Sequence, residues 1–255
     1  MISLLILRPE IKMSTAAKEF GPEIYRILAK PRGLVTSRLR VGETDVLISG
    51  DRDLSREALP LIKKYRKQIE SYIETSPVFS WSLTPVTMDE KAPDIVRTMI
   101  EASAEACVGP MATVAGAIAD YVGRDLLAFS RDVIVENGGD ILLHVSSKRE
   151  LLVLAENSPF GGLKIAVGPT PEPIGICTSS GTLGHSLSFG KADAVTIFGQ
   201  TAAKADAAAT SVGNLIQSRL DIETGIERAR EIGVNGVLIL VEDSIGVWGD
   251  IEIID

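Results

Sequence analysis

Apolar and polar positions alternate with two different periods along this chain, and the changes of period mark out its elements. Residues 1–50 carry short apolar runs broken by charge and glycine, ending in Asp45-Val-Leu-Ile-Ser-Gly50, and read as short strands and turns. Leu61, Ile62, Tyr65, Ile69, Tyr72 and Ile73 then recur at helical spacing and predict an amphipathic helix, with Pro60 acceptable in its first turn. Pro77 and Pro85 bound an aromatic stretch, 78–83, that reads as extended. A second helix opens at Ala92-Pro93-Asp94, carries Ile95, Met99 and Ala102 on one face, and breaks at Cys107-Val-Gly-Pro110. A third, built of small residues, follows from Met111 to about Leu127.

From Asp132 the pattern changes to strands. Residues 133–135 and 141–145 flank Asn137-Gly-Gly-Asp140, which predicts a tight hairpin because Asn and Gly tolerate positive φ. Residues 151–155, 163–167 and 194–198 add strands, an alanine-rich helix spans about 201–218, and another runs from Asp221 to near Gly233. Closing strands occupy 237–254. Helix pairs interleaved with hairpins in two sets predict an α+β protein with antiparallel sheets. Its two related halves would each be a sheet covered by helices on one side, within one domain over 1–255 and with a boundary near 130.

Bulk composition excludes several classes. The 255 residues are 45 % hydrophobic and 24 % charged, enough for a sizeable core. Lys plus Arg is 26 against 34 Asp plus Glu, a formal charge of −8, which argues against a nucleic-acid partner. Lys63, Lys64, Arg66 and Lys67 share one helix and read as a solvated face. Cys107 and Cys177 have neither disulfide-framework nor zinc spacing. The apolar run of the first residues is too short for a membrane span and lacks a cleavage pattern, so the expectation is a cytoplasmic protein without a membrane partner.

Chemistry concentrates in the helix 201-TAAKADAAAT-210. Asp206 and Thr210 are four apart, which stacks a carboxylate and a hydroxyl on one helix face, and the surrounding alanines leave room for a ligand or another backbone. Asp206 has Ala202 and Ala203 behind it, so its own helix offers no opposite charge there. Magnesium takes such hard oxygens together with water and phosphate. A plainly packed helix, with Thr210 bonding back to the carbonyl of residue 206, accounts for the same spacing. Asn137-Gly-Gly-Asp140 is likewise explained by a hairpin alone, and Cys177-Thr-Ser-Ser-Gly-Thr182 by a polar turn.

Three segments, 109-GPMATVAGAIAD-120, 136-ENGGD-140 and 201-TAAKADAAAT-210, resemble in order and spacing the ApbE-like flavin transferases. The wording VGPMA–VAGAIA, VIVENGGDI and GKADAVTI is closer still to a smaller family related to them, common in methane-producing archaea. The resemblance covers residues 44–215 or so and implies an ApbE-like fold of tandem, T-fold-like units. It further implies binding of FAD with magnesium, and FMN transfer as the activity. Asp206, Thr210 and the backbone carbonyl of Ala112 would be the metal ligands. Asn137, Gly138, Gly139 and Asp140 would lie against the nucleotide, with Thr178, Ser179, Ser180 and His185 as further contacts.

The chain departs from the transferases where they carry Lys-Gly-Tyr, having Thr113-Val114-Ala115, and where Ser186–Asp193 replaces a Pro-Arg-Thr-Gly stretch. The smaller family implies an alternative, an accessory role in sulfide assimilation and homocysteine formation. That role would involve Cys107 or Cys177 and a sulfur-assimilation partner protein. A homo-oligomer is compatible with either reading.

Overall fold

The structure, a computed structural model, describes residues 31, 33–155, 158–181 and 189–254. The N-terminal apolar run and His185 lie outside these residues. Eight strands form one antiparallel sheet. Strands β1 (Val35–Val41), β2 (Thr44–Gly50), β3 (Val133–Asn137) and β4 (Asp140–His144) lie side by side in that order. They are followed by β7 (Ile174–Ser179), β8 (Ala194–Gly199), β9 (Gly236–Val241) and β10 (Ser244–Gly249). Strands β5 (Arg149–Ala155), β6 (Gly161–Val167) and β11 (Glu252–Ile254) make a second, three-stranded sheet.

Strand alternation sorts the core into two compartments. Val133, Val135, Leu142, Cys177, Val195, Ile197, Val237 and Ile239 pack under the helices. The intervening Ile134, Leu143, Ile176, Leu238 and Leu240 pack against the small sheet. The strands therefore form one continuous sheet, with helices on one face and the small sheet on the other, where two separate sheets were expected. The order strand-strand, helices, strand-strand occurs twice along it.

On the helical face, α1 (Ser55–Thr75) buries Ala58, Ile62, Tyr65 and Ile69, as its spacing predicts, while Lys63, Lys64 and Lys67 face outward. The stretch expected to be extended forms a short helix, α2 (Val78–Trp81). Pro77 there has helical dihedrals, and Phe79 turns wholly into the core. Next come α3 (Asp94–Ala106), ending on Cys107 in the left-handed conformation, a 3-10 turn over Pro110–Thr113, and α4 (Val114–Leu126). The alanine helix is α5 (Ala202–Leu215), and α6 (Ile222–Ile232) stops at Gly233, whose φ of 76° a residue with a side chain would resist. Sequence reasoning missed β7 and took its end for a polar turn. The strand is sandwiched between β4 and β8 in mid-sheet, where ladder bonds outweigh its glycine and hydroxyl content.

Candidate functional site

Helices α4 and α5 cross with almost no side chain between them. A Cβ on Gly116 would overlap the carbonyl oxygen of Ala202, so only glycine permits the contact. The two helices run antiparallel, because Asp120 meets Ala203 while Gly116, one turn earlier on α4, meets Asp206, nearly one turn later on α5. Each helix thereby supplies the other with a carboxylate. The amide of Gly116, in the first turn of α4, donates to Asp206 Oδ2 at 2.9 Å. The amide of Ala203, in the first turn of α5, donates to Asp120 Oδ2 at 2.8 Å. First-turn amides have no partner within their own helix, and both carboxylates meet the positive end of the other helix's dipole. The role of Asp120 was missed. The signal available was the one that singled out Asp206, a lone carboxylate among small and apolar residues.

Antiparallel packing carries the 3-10 turn, with half-buried Ala112, alongside the later turns of α5, where Thr210 follows Asp206 on the same face. The hairpin approaches from the sheet. Asn137 and Asp140 close a two-residue turn whose Gly138 and Gly139 have φ of 68° and 106°. Asn137 Nδ2 donates to the Ala115 carbonyl at 3.1 Å and ties the hairpin to the start of α4. Asp140 is opposite Cys177 in the ladder and points at the helices, near enough to Asp206 that the Asp206 carboxylate disfavours its ionisation.

The sheet's alternation separates the hydroxyls. Ser179 faces α5, with its Oγ 3.4 Å from where a Cβ on Gly213 would stand. Thr178 faces the opposite side, where its Oγ1 pairs with Thr196 Oγ1 at 2.9 Å, and only its backbone amide reaches Asp140. Ser180 follows the end of the strand and is half-buried. The structure thus brings Asp140 to Asp206 and ties Asn137 to the start of α4, while Ser179 and the turn containing Ala112 pack against the helix that carries Asp206 and Thr210. It turns the Thr178 hydroxyl away.

This corner is strongly acidic inside. Burial pushes the Asp206 carboxyl up to about 7, against the pull of the Gly116 amide, and burial likewise raises Asp120 to about 6. Burial and the neighbouring Asp206 raise Asp140 well above the usual carboxylate range. Among the described residues no lysine or arginine pairs with Asp140 or Asp206. Cys177, fully buried beside them, has its thiol pushed well up by burial and by all three carboxylates, and its Sγ lies 3.2 Å from the Ala202 carbonyl. Such a thiol stays protonated. Cys107 is exposed at the end of α3.

A family model described as "AbpE bacteria" matches residues 26–236. The chain belongs to this family. It is 40 % identical over 222 residues to the UPF0280 protein MJ1526 of Methanocaldococcus jannaschii, covering 84 % of this chain and 90 % of that one. Over 224 residues it is 34 % identical to the UPF0280 protein of Methanosarcina acetivorans, covering 86 % and 88 %. Among solved structures it is similar to the apo flavinyl transferase ApbE of Pseudomonas stutzeri, with a TM-score of 0.56 and 13 % identity over 87 % of this chain and 96 % of that one. The flavin transferase ApbE of Vibrio cholerae, as a point variant, gives a TM-score of 0.57 at 13 % identity, over 84 % and 96 %. The archaeal, ApbE-related family and the antiparallel α+β fold read from the sequence are therefore those of the molecule. Among the described residues no single helix is long and apolar enough to cross a membrane.

Proposed function

We propose that this AbpE-family protein binds a flavin nucleotide, FAD, through a magnesium ion held at the α4–α5 contact. The observation that supports this reading is the collection of oxygen donors there. Asp206 brings a carboxylate beside Asp140, Thr210 follows one turn later on the same helix face, and the 3-10 turn of Ala112 packs against that helix, with no paired cation among the described residues. Asp206, Thr210 and the Ala112 carbonyl would hold the ion. Among the described residues no group of three or more His, Cys, Asp or Glu is placed for a metal. A site with a single carboxylate suits magnesium, which keeps waters and takes further oxygens from phosphate. The donor set fits the ion.

The acidic corner on its own repels a pyrophosphate. A bound divalent cation reverses that field and bridges to phosphate oxygens. Asn137 holds the hairpin against α4, and the side-chain-free Gly138 and Gly139 leave backbone exposed at its tip, suited to lie along a ligand. The activity we attach to this site is that of the flavin transferases whose fold the chain shares, with FMN transfer as the reaction.

The test is thermal. FAD with magnesium should raise the melting temperature more than FAD with EDTA, because a ligand of the native state stabilises by mass action. No shift from FAD, FMN, ATP or ADP at millimolar concentration sinks the reading. Denaturing the freshly purified protein and recording the spectrum of the supernatant identifies any flavin that it carries.

A further inference from the structure

Helix α5 carries a third polar rung to which the metal reading gives no task. Asn214 stands one turn beyond Thr210, as Thr210 stands one turn beyond Asp206. A carboxylate, a hydroxyl and a carboxamide therefore follow one another along one side of the helix, about 6 Å apart along its axis. All three are half-buried, whereas Ala205, Ala207, Ala209 and Gly213 between them are buried.

The chain that crosses the end of α5 fixes how this carboxamide is turned. The amide of Phe189 donates to Asn214 Oδ1 at 2.9 Å, and Gln217 Nε2 donates to the Phe189 carbonyl at 2.9 Å, so residue 189 is gripped on both sides. Gly190 follows so close to the helix that a Cβ there would overlap the Gly213 carbonyl oxygen. A main-chain N–H can only donate, so the Asn214 atom that meets it is the oxygen, and the carboxamide has one orientation. The two hydrogens on Nδ2 are left over, and among the described residues they have no partner. Helical side chains lean toward the N-terminus of their helix, so the carboxamide lies back over the turn of Thr210 and not past the helix end.

We propose that Asn214 is the specificity-determining contact for a diphosphate, donating from Nδ2 to the phosphate next to the one held with the ion at Asp206 and Thr210. This rests on the nucleotide reading above and adds the residue that counts phosphates. A second phosphate extends the ligand along α5 toward the carboxamide, and a monophosphate stops short of it. Nδ2 offers donors without a charge, so it binds a phosphate oxygen without pairing with Asp206 in place of the metal. The site therefore ranks FAD and ADP above FMN and AMP, and pyrophosphate above orthophosphate.

The experiment titrates ADP and AMP, each with magnesium, into the full chain and into Asn214→Asp and Asn214→Ala by calorimetry. Asn214→Asp keeps an oxygen for the Phe189 amide and deletes both donors, so its melting temperature without ligand should match wild type. Asn214→Ala deletes the donors without adding charge. Both variants should bind ADP about tenfold more weakly, the scale of one hydrogen bond to a charged group, and bind AMP as wild type does. Equal ADP affinity in wild type and both variants overturns the contact and leaves the nucleotide reading standing. Loss in Asn214→Asp alone overturns it, because the added charge then accounts for the effect. Equal weakening of ADP and AMP overturns it too, because the substitution then acts through the fold. Wild type that binds AMP as tightly as ADP has no preference to explain, and the proposal falls. No binding of ADP or FAD by wild type removes the nucleotide reading itself, and the contact with it.

Discussion

Asp120 and Asp206 do the same local job in two different surroundings. Each sits on one of two crossing helices and accepts an amide from the first turn of the other. Asp120 is 1 % exposed, and among the described residues its second oxygen, Oδ1, has no hydrogen-bond partner. Asp206 is half-buried, with Thr210 on its face and Asp140 across from it. The difference separates a cap from a site. A carboxylate sealed inside can only hold its helix in place, whereas one at the edge of the same contact can hold its helix and also accept a ligand. Substitutions that touch one role without the other measure how far the two have separated.

Gly116→Ala should do the most damage, since it forces apart the backbones on which both aspartates depend. The expected cost is about 3 kcal/mol of overpacking, read as a lowered urea midpoint, with magnesium and FAD binding lost together. Asp120→Ala should come next, at about 2 kcal/mol, by leaving first-turn amides of α5 without an acceptor in the core. Asp120→Asn keeps an acceptor and should recover at least half of that loss in the same denaturation experiment. Equal stability of Asp120→Ala and wild type would show that the cap contributes nothing.

The third effect depends on pH. Asp206 has its carboxyl raised from 3.8 to about 7 in the folded protein, so between those values the folded state binds more protons than the unfolded one. Stability from this group is full below about pH 4 and declines as pH rises through 7. In EDTA the melting temperature of wild type should therefore fall across that window. Asp206→Asn should flatten the decline, and magnesium should flatten it in wild type but not in the variant. Asp120→Asn should remove only the portion near pH 6 and leave the magnesium response intact. The smallest change in stability, less than about 0.5 kcal/mol, belongs to Thr210→Val, which keeps the shape of a half-buried side chain. It should still weaken magnesium-dependent FAD binding in a calorimetric titration, and unchanged binding would remove Thr210 from the ligand set.

Much of this was legible in the chain before any coordinates. Helix α1 could be read because its apolar residues keep a 3.6 period, and the 137–140 hairpin because two glycines between apolar runs leave few other conformations. Asp206 and Thr210 stood out against alanine. What could not be read was set by contacts distant in sequence. The amide that Asp206 accepts is 90 residues away, so a residue that looked free of packing obligations in its own helix is committed to another. The direction of Thr178 depended on recognising β7 as a strand, and β7 lacks alternation because both its faces are covered. The aromatic run at 78–83 suggested a strand by composition, but one buried phenylalanine after Pro77 was enough to wind it into a helical turn.

The two thiols give the molecule a built-in clock for the opening of this corner. Cys107 stands in solvent at the end of α3, so an alkylating reagent reaches it without any opening of the fold. Cys177 lies beneath α5 with its sulfur against the Ala202 carbonyl, so it is labelled only when that helix lifts from the sheet. The ratio of the two labelling rates reports how often the floor of the acidic corner is exposed. Mass spectrometry can follow it during pulsed alkylation, without denaturant and without altering a residue.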